Sequence, residues 1–311
     1  MSTLTLNPKA RFSGSIRNVL ARYPLVAYFV LAFAGSWLCL APMVLGQDGL
    51  GFLPYSVPFG LYVALFLAAS FTGPTLAALV VTAALEGKPG VKQFLRRYGQ
   101  WRVGFWWYLL MLLGFPVIYF GAASLWMGGE ALQALGRQWG TFFTVYLAAL
   151  LIFPGLLQWG EEPGWRGFAQ TRLQGQVGAL WASLVVGFLH GVWHLPNHLL
   201  IVGPPAAGPF DLTHFAINTA IVMAITLLFT WVFNGGQQSI LVAVLTHASF
   251  NAAQAWLATL LPNQPVQVGY TALIIIAVCA IAVVLLTKGK LGHAPSQEPR
   301  AHLFAQGETK P

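Results

Sequence analysis

The sequence predicts an all-α polytopic membrane protein with about eight transmembrane helices and a polar cavity inside the membrane. Three observations carry that prediction. First, 57% of the residues are hydrophobic and 8% charged, with a mean hydropathy of +0.68. Soluble domains carry about 25% charge, so lipid has to be the solvent for most of this surface. Second, the apolar residues fall into runs near the roughly 20 residues that a helix needs to cross the hydrocarbon core. Third, a small set of ionisable side chains lies inside those runs, where charge is costly and most often functional.

Eight runs qualify: 24–46, 59–85, 104–126, 141–170, 177–201, 214–233, 238–260 and 267–287. Residues 1–23 are polar and basic, and the run after them exceeds the apolar core of about 7–15 residues of a signal peptide. It reads as a retained first helix. Pro74, Pro116 and Pro154 lie inside runs and are expected to kink them. The 12 tryptophans and 33 glycines suit membrane interfaces and close helix packing. Cys39 and Cys279 both lie in apolar runs, which argues against a disulfide framework or a cysteine zinc site. No internal repeat suggests an inverted-repeat transporter.

Of the 16 lysines and arginines, all but Arg137 fall on one side of this topology. By the positive-inside rule both termini are cytoplasmic, in a multi-pass protein of the cell membrane. The net charge of +8 is thereby explained by topology rather than by nucleic acid. The chain divides into a basic cytoplasmic segment (1–23), a membrane domain (24–287) and a polar cytoplasmic tail (288–311) that reads as disordered.

The ionisable residues inside the helices lie in three segments. In GEEPGWRG, Glu162 and Arg166 stand four apart with the acid first, the favourable order for a helical pair. Glu161 is left without a local partner, beside a backbone that Pro163 disturbs, which suits a general base. Taken alone, the segment reads equally well as a salt-bridged helix end. In GFLHGVWHLPNHLL, His190, His194 and His198 are spaced to share one helix face, although Pro196 can turn His198 out of line. The spacing permits a metal site without specifying one, since the glutamate of an H-E-x-x-H motif is missing. In LTHASFN, His247 and Asn251 stand one turn apart, and a carboxamide can donate to a developing oxyanion. Each segment alone has a structural explanation. Together they make a hydrolytic constellation.

In this order the motifs EEPGWR, HGVWHLP and HASFN resemble those of the CPBP intramembrane proteases, which include the CaaX prenyl endopeptidases. FTGPTLAALVVTA, from Phe71, resembles that family's second helix, so the likeness covers roughly residues 70–260 with a catalytic core at about 141–260. One departure is His190, where the family often has phenylalanine; it becomes an extra ligand or proton carrier. The resemblance implies that Glu161 activates water, Glu162 and Arg166 hold the motif in shape, and His194 orients the water or binds a metal. His247 and Asn251 would then stabilise the oxyanion. Zinc or another divalent metal would be held by His194, His247 and Glu161, with His190 and His198 as weaker candidates; a metal-free mechanism fits the sequence equally.

The expected activity is hydrolysis of a peptide bond near the cytoplasmic face, in a peptide or membrane-protein substrate, with the lipid bilayer as the other partner and no nucleic acid. Short loops and a compact chain suggest a prokaryotic protein. The alternatives are a non-catalytic scaffold or immunity protein on the same fold and, further off, a proton-coupled transporter. Geometry sets a condition: a fourth helix continued to Gln170 lifts Glu161 about 13 Å into the membrane, towards His194. A cavity open to the cytoplasm between the fourth, fifth and seventh helices is therefore expected.

Overall fold

A computed structural model describes residues 18–152, 155–201 and 210–294, and every regular element among them is helical. In chain order these are α1 (Pro24–Leu45), α2 (Phe59–Ser70), a π-helical segment π1 (Phe71–Thr75), and α3 (Leu76–Arg96). Next come α4 (Phe105–Met127), α5 (Gly129–Gln138), π2 (Phe142–Leu147), α6 (Ala148–Leu151) and α7 (Gly155–Glu162). Then follow π3 (Pro163–Gln170), α8 (Thr171–Val177), α9 (Ala179–Trp193), α10 (Leu212–Gly235), α11 (Ile240–Leu260) and α12 (Val266–Leu286). Seven of the resulting helical stretches are long and apolar enough to span a bilayer.

The fifth expected span is shorter than the sequence suggested. α9 has 15 residues, about 22 Å of helix, and a single turn, Leu195–His198, follows it. Pro196 accounts for the early end, because it has no N–H to donate to the Val192 carbonyl and its ring crowds that turn. The segment still runs from one end of the bundle to the other. At one end of the molecule Ser239 Oγ bonds Gln100 O (2.6 Å), Gln174 Nε2 bonds Asn234 Oδ1 (3.1 Å), and Asn234 Nδ2 bonds Leu291 O (3.0 Å). At the other, Ile201 N bonds Asp48 O (2.8 Å), Trp256 Nε1 bonds Thr141 Oγ1 (3.0 Å), and Trp126 Nε1 bonds Thr271 Oγ1 (2.9 Å). The chain from Gln174 to Ile201 thus runs from the first end to the second, the course that an eighth passage would take.

The prolines act in different ways. Pro74 lies in π1, where the backbone is widened, whereas the chain stays helical through Pro116; Pro154 lies outside the described residues. One element went unforeseen: α5 is a short amphipathic helix with Glu130 in its first turn and Arg137 in its last, both favourable to the helix dipole. Caps mark other starts, with Asp211 accepting from Thr213 N (2.7 Å) and His214 N (3.3 Å), and Ser239 from Val242 N (3.3 Å). α11 is the central helix, packed against α4, α7 and α10, while α9 lies along α10. Of the expected cytoplasmic segments, residues 1–17 and 295–311 lie outside the described residues.

Candidate active site

Glu161 and Glu162 end α7, and the backbone opens into π3 directly after them. Pro163 explains the change: it has no N–H to donate to the preceding turn, and its ring crowds the carbonyl four residues back. Gly160 and Gly164 then seat this bend against π1. A β-carbon on Gly160 would lie 2.7 Å from the Ser70 carbonyl carbon, and one on Gly164 2.5 Å from the Pro74 carbonyl oxygen. Only glycine lets the two backbones touch, and Thr75 Oγ1 locks them by donating to Gly160 O over 2.6 Å. The histidine helix uses the same device: β-carbons on Gly187 and Gly191 would come within 2.8 Å of Met223 and 2.7 Å of Thr219 on α10. Each small-residue pair brackets polar residues, Glu161 and Glu162 in one case and His190 in the other.

Two connected hydrogen-bond systems result. Glu162, fully buried, accepts at Oε1 from Arg166 Nη1 (2.8 Å) and from His247 Nδ1 (2.7 Å). Arg166 is equally enclosed; its Nη2 donates to Thr226 Oγ1 (3.0 Å) and its guanidinium lies 5.0 Å from the centre of the Phe229 ring. The second system centres on His190, whose Nε2 lies 3.2 Å from Glu161 Oε2 and whose Nδ1 lies 3.4 Å from Arg166 Nη1. A guanidinium can only donate, so Nδ1 accepts. The neutral ring then carries its proton on Nε2 and donates it to Glu161. Trp165 and His194 sandwich the imidazole, with ring centres at 4.7 and 5.1 Å.

The structure therefore brings together Glu161, Glu162, Arg166, His190, His194 and His247 from π3, α7, α9 and α11. His194 is half-buried at the end of α9, with Nδ1 3.2 Å from Asn197 Nδ2. Asn251 lies one turn beyond His247 on α11, half-buried and with no hydrogen-bond partner for its carboxamide among the described residues. His198 stands apart, packed edge-on against Phe215 at 5.3 Å. Among Glu161, His190 and His194, one possible ligand atom from each lies within 4.8 Å of the others. Where the sequence suggested His247 as a companion of Glu161 and His194, its Nδ1 is engaged by Glu162, and His190 completes the group. Trp165, Thr226 and the bracketing glycines escaped the sequence reading, although G-x-x-x-G was visible in both GEEPG and GFLHG.

Among the described residues, seven long apolar helical stretches and the shorter α9 surround a buried carboxylate–imidazole cluster, which defines a class of polytopic membrane protein with its polar site within the helix bundle. Comparison with known proteins narrows the class. Residues 137–253 match the family described as type II CAAX prenyl endopeptidase Rce1-like. The chain is also similar to CAAX prenyl protease 2 of Methanococcus maripaludis, 22% identical over 295 residues covering 89% of this chain and 95% of that protein. Both likenesses are to CAAX-protease-like membrane proteins, the group that the sequence motifs resemble. Both matches are described as proteases rather than as scaffold proteins.

Proposed function

We propose that the protein hydrolyses a peptide bond near the cytoplasmic face of the membrane with Glu161 as general base. The observation that carries this reading is the convergence of Glu161, His190 and His194, from two separate helices, within 4.8 Å. His190 holds Oε2 of Glu161 and leaves Oε1 to take a proton from water. The water oxygen then bonds to the peptide carbonyl carbon, the C–N bond breaks, and the amine leaves with a proton returned from the carboxyl group. His194 is the most exposed of the three residues. His247 donates Nδ1–H to Glu162, which fixes its ring beside the cluster, and the Asn251 carboxamide one turn away can donate to the oxyanion. The substrate has to be locally extended, because a helix hides its carbonyls in its own hydrogen bonds.

A metal fits the donor set. Two imidazoles and a carboxylate are the ligands of many catalytic zinc sites, and Glu161, His190 and His194 have the reach. A divalent ion held there would polarise the substrate carbonyl and acidify water. The Nε2 proton of His190 would have to be displaced first, since Arg166 occupies Nδ1.

The test is cleavage of membrane-anchored peptides, lipidated and plain, by purified protein in bilayers. E161Q is expected to lose about 10²–10⁴-fold in rate. Equal cleavage by wild type and E161Q would overturn the assignment. In parallel, a chelator is expected to abolish cleavage and a metal assay to find one ion per chain where the metal form operates; full activity in metal-free protein excludes it.

A further inference from the structure

The second membrane passage ends in a helix break that creates a basic groove the proteolytic reading does not use. α3 is interrupted at Gly87, where φ is +64° and ψ −159°, a conformation that glycine tolerates and other residues rarely adopt. From Phe59 to Leu85 the chain is already long enough to cross the bilayer, about 40 Å of helix. The piece after the break therefore lies at the membrane boundary. It carries Lys88, Lys92 and Arg96, spaced four apart and so on one face. All three are exposed, and with Ala83, Val91 and Leu95 they line an open groove of about 700 Å³.

The nearest carboxylate in sequence is withheld from these cations. Glu86 folds back over Gly90, where a β-carbon would lie 2.2 Å from the Glu86 side chain, and pairs with Arg172 instead. Lys88, Lys92 and Arg96 consequently have no ion-pair or hydrogen-bond partner among the described residues. Three uncompensated cations above an apolar wall, at the membrane boundary, match the headgroup and first acyl carbons of an acidic lipid. We propose that this groove binds an anionic glycerophospholipid, with Lys88, Lys92 and Arg96 on the phosphate and Ala83, Val91 and Leu95 against the chain. The bound lipid would also brace the active region. Arg97, the next residue, bonds Gly167 O in π3 (2.7 Å) and Gln238 O just before α11 (3.0 Å).

The experiment is thermal unfolding of purified full-length protein in neutral detergent, titrated with phosphatidylglycerol or phosphatidylcholine. Three chains are compared: wild type, K88Q/K92Q/R96Q, and R102Q/K288Q/K290Q, which loses the same charge elsewhere. Phosphatidylglycerol is expected to raise the midpoint of wild type and of the second variant by about 5 °C, and that of the groove variant little. Equal shifts in all three chains, or none in wild type, would overturn the proposal. So would an equal shift from free glycerol phosphate, which would assign the groove to a soluble anion. Should the triple variant not fold, native mass spectrometry of K92Q decides. Phosphatidylglycerol retention about fivefold weaker than in wild type is expected, and equal retention refutes the site.

Discussion

Glu162 shows how much structural work a carboxylate beside a proposed general base can do. It is fully buried, and one of its oxygens receives both Arg166 and His247, so it ties the motif helix to α11. Removing one partner from such a pair leaves an uncompensated buried charge, at a cost of about 3–5 kcal/mol. R166Q is therefore expected to lower the melting temperature sharply, whereas the double variant E162Q/R166Q recovers part of the loss without recovering activity. Equal melting temperatures for R166Q and wild type would show that the pair is not closed in the membrane. His190 allows a finer test. H190Q can still donate an N–H to Glu161 and is expected to keep more kcat than H190A at similar KM. Equal kcat for the two variants would remove His190 from the positioning of Glu161.

At the scale of elements, the site depends on two bends meeting. π3 begins at Pro163, π1 contains Pro74, and the two touch through Gly160 and Gly164 with no room for a side chain. G164A would place a methyl group 2.5 Å from the Pro74 carbonyl oxygen. Overpacking of this kind costs about 1–3 kcal/mol, and here it also pushes Glu161 away from His190. The expectation is a lower melting temperature together with a fall in kcat. G175A, whose β-carbon meets nothing within 4 Å, serves as the neutral control. Cleavage by G164A at the wild-type rate would show that the spacing of the two bends is not critical.

The whole molecule sets which side of the membrane the chemistry faces. Gln100, Gln174, Asn234, Ser239 and Leu291 meet at one end, and the basic residues Arg97, Arg102 and Lys290 lie in or beside the same segments. By the positive-inside rule that end is expected to face the cytoplasm. A fluorescent protein fused after Pro311 is therefore expected to mature, and alkaline phosphatase fused there to be inactive. Active phosphatase at the C-terminus would invert the topology and move the cleavage site to the opposite face. An even number of passages depends on α9, the shortest of the crossing helices, so this experiment also tests whether the segment from Gln174 to Ile201 crosses.

Hydropathy by itself determined the fold class, the approximate spans and the short list of ionisable residues within them, because lipid leaves few tolerated places for charge and Glu161, Glu162, Arg166 and the histidines stand out against an apolar background. The spacing of Glu162 and Arg166 also revealed their pairing, since helical neighbours four apart are local contacts. Partners separated by tens of residues were decided only by tertiary structure. That His247 turns to Glu162 while His190 turns to Glu161 depends on how α9 and α11 are rotated against π3, and helix rotation is fixed by packing. The same holds for His198, which the turn at Pro196 sends to Phe215, and for α9, whose course from one end of the bundle to the other shows only in the bonds made at its two ends. Periodicity tells which residues share a face of one helix, but which helix that face meets is a property of the assembled bundle.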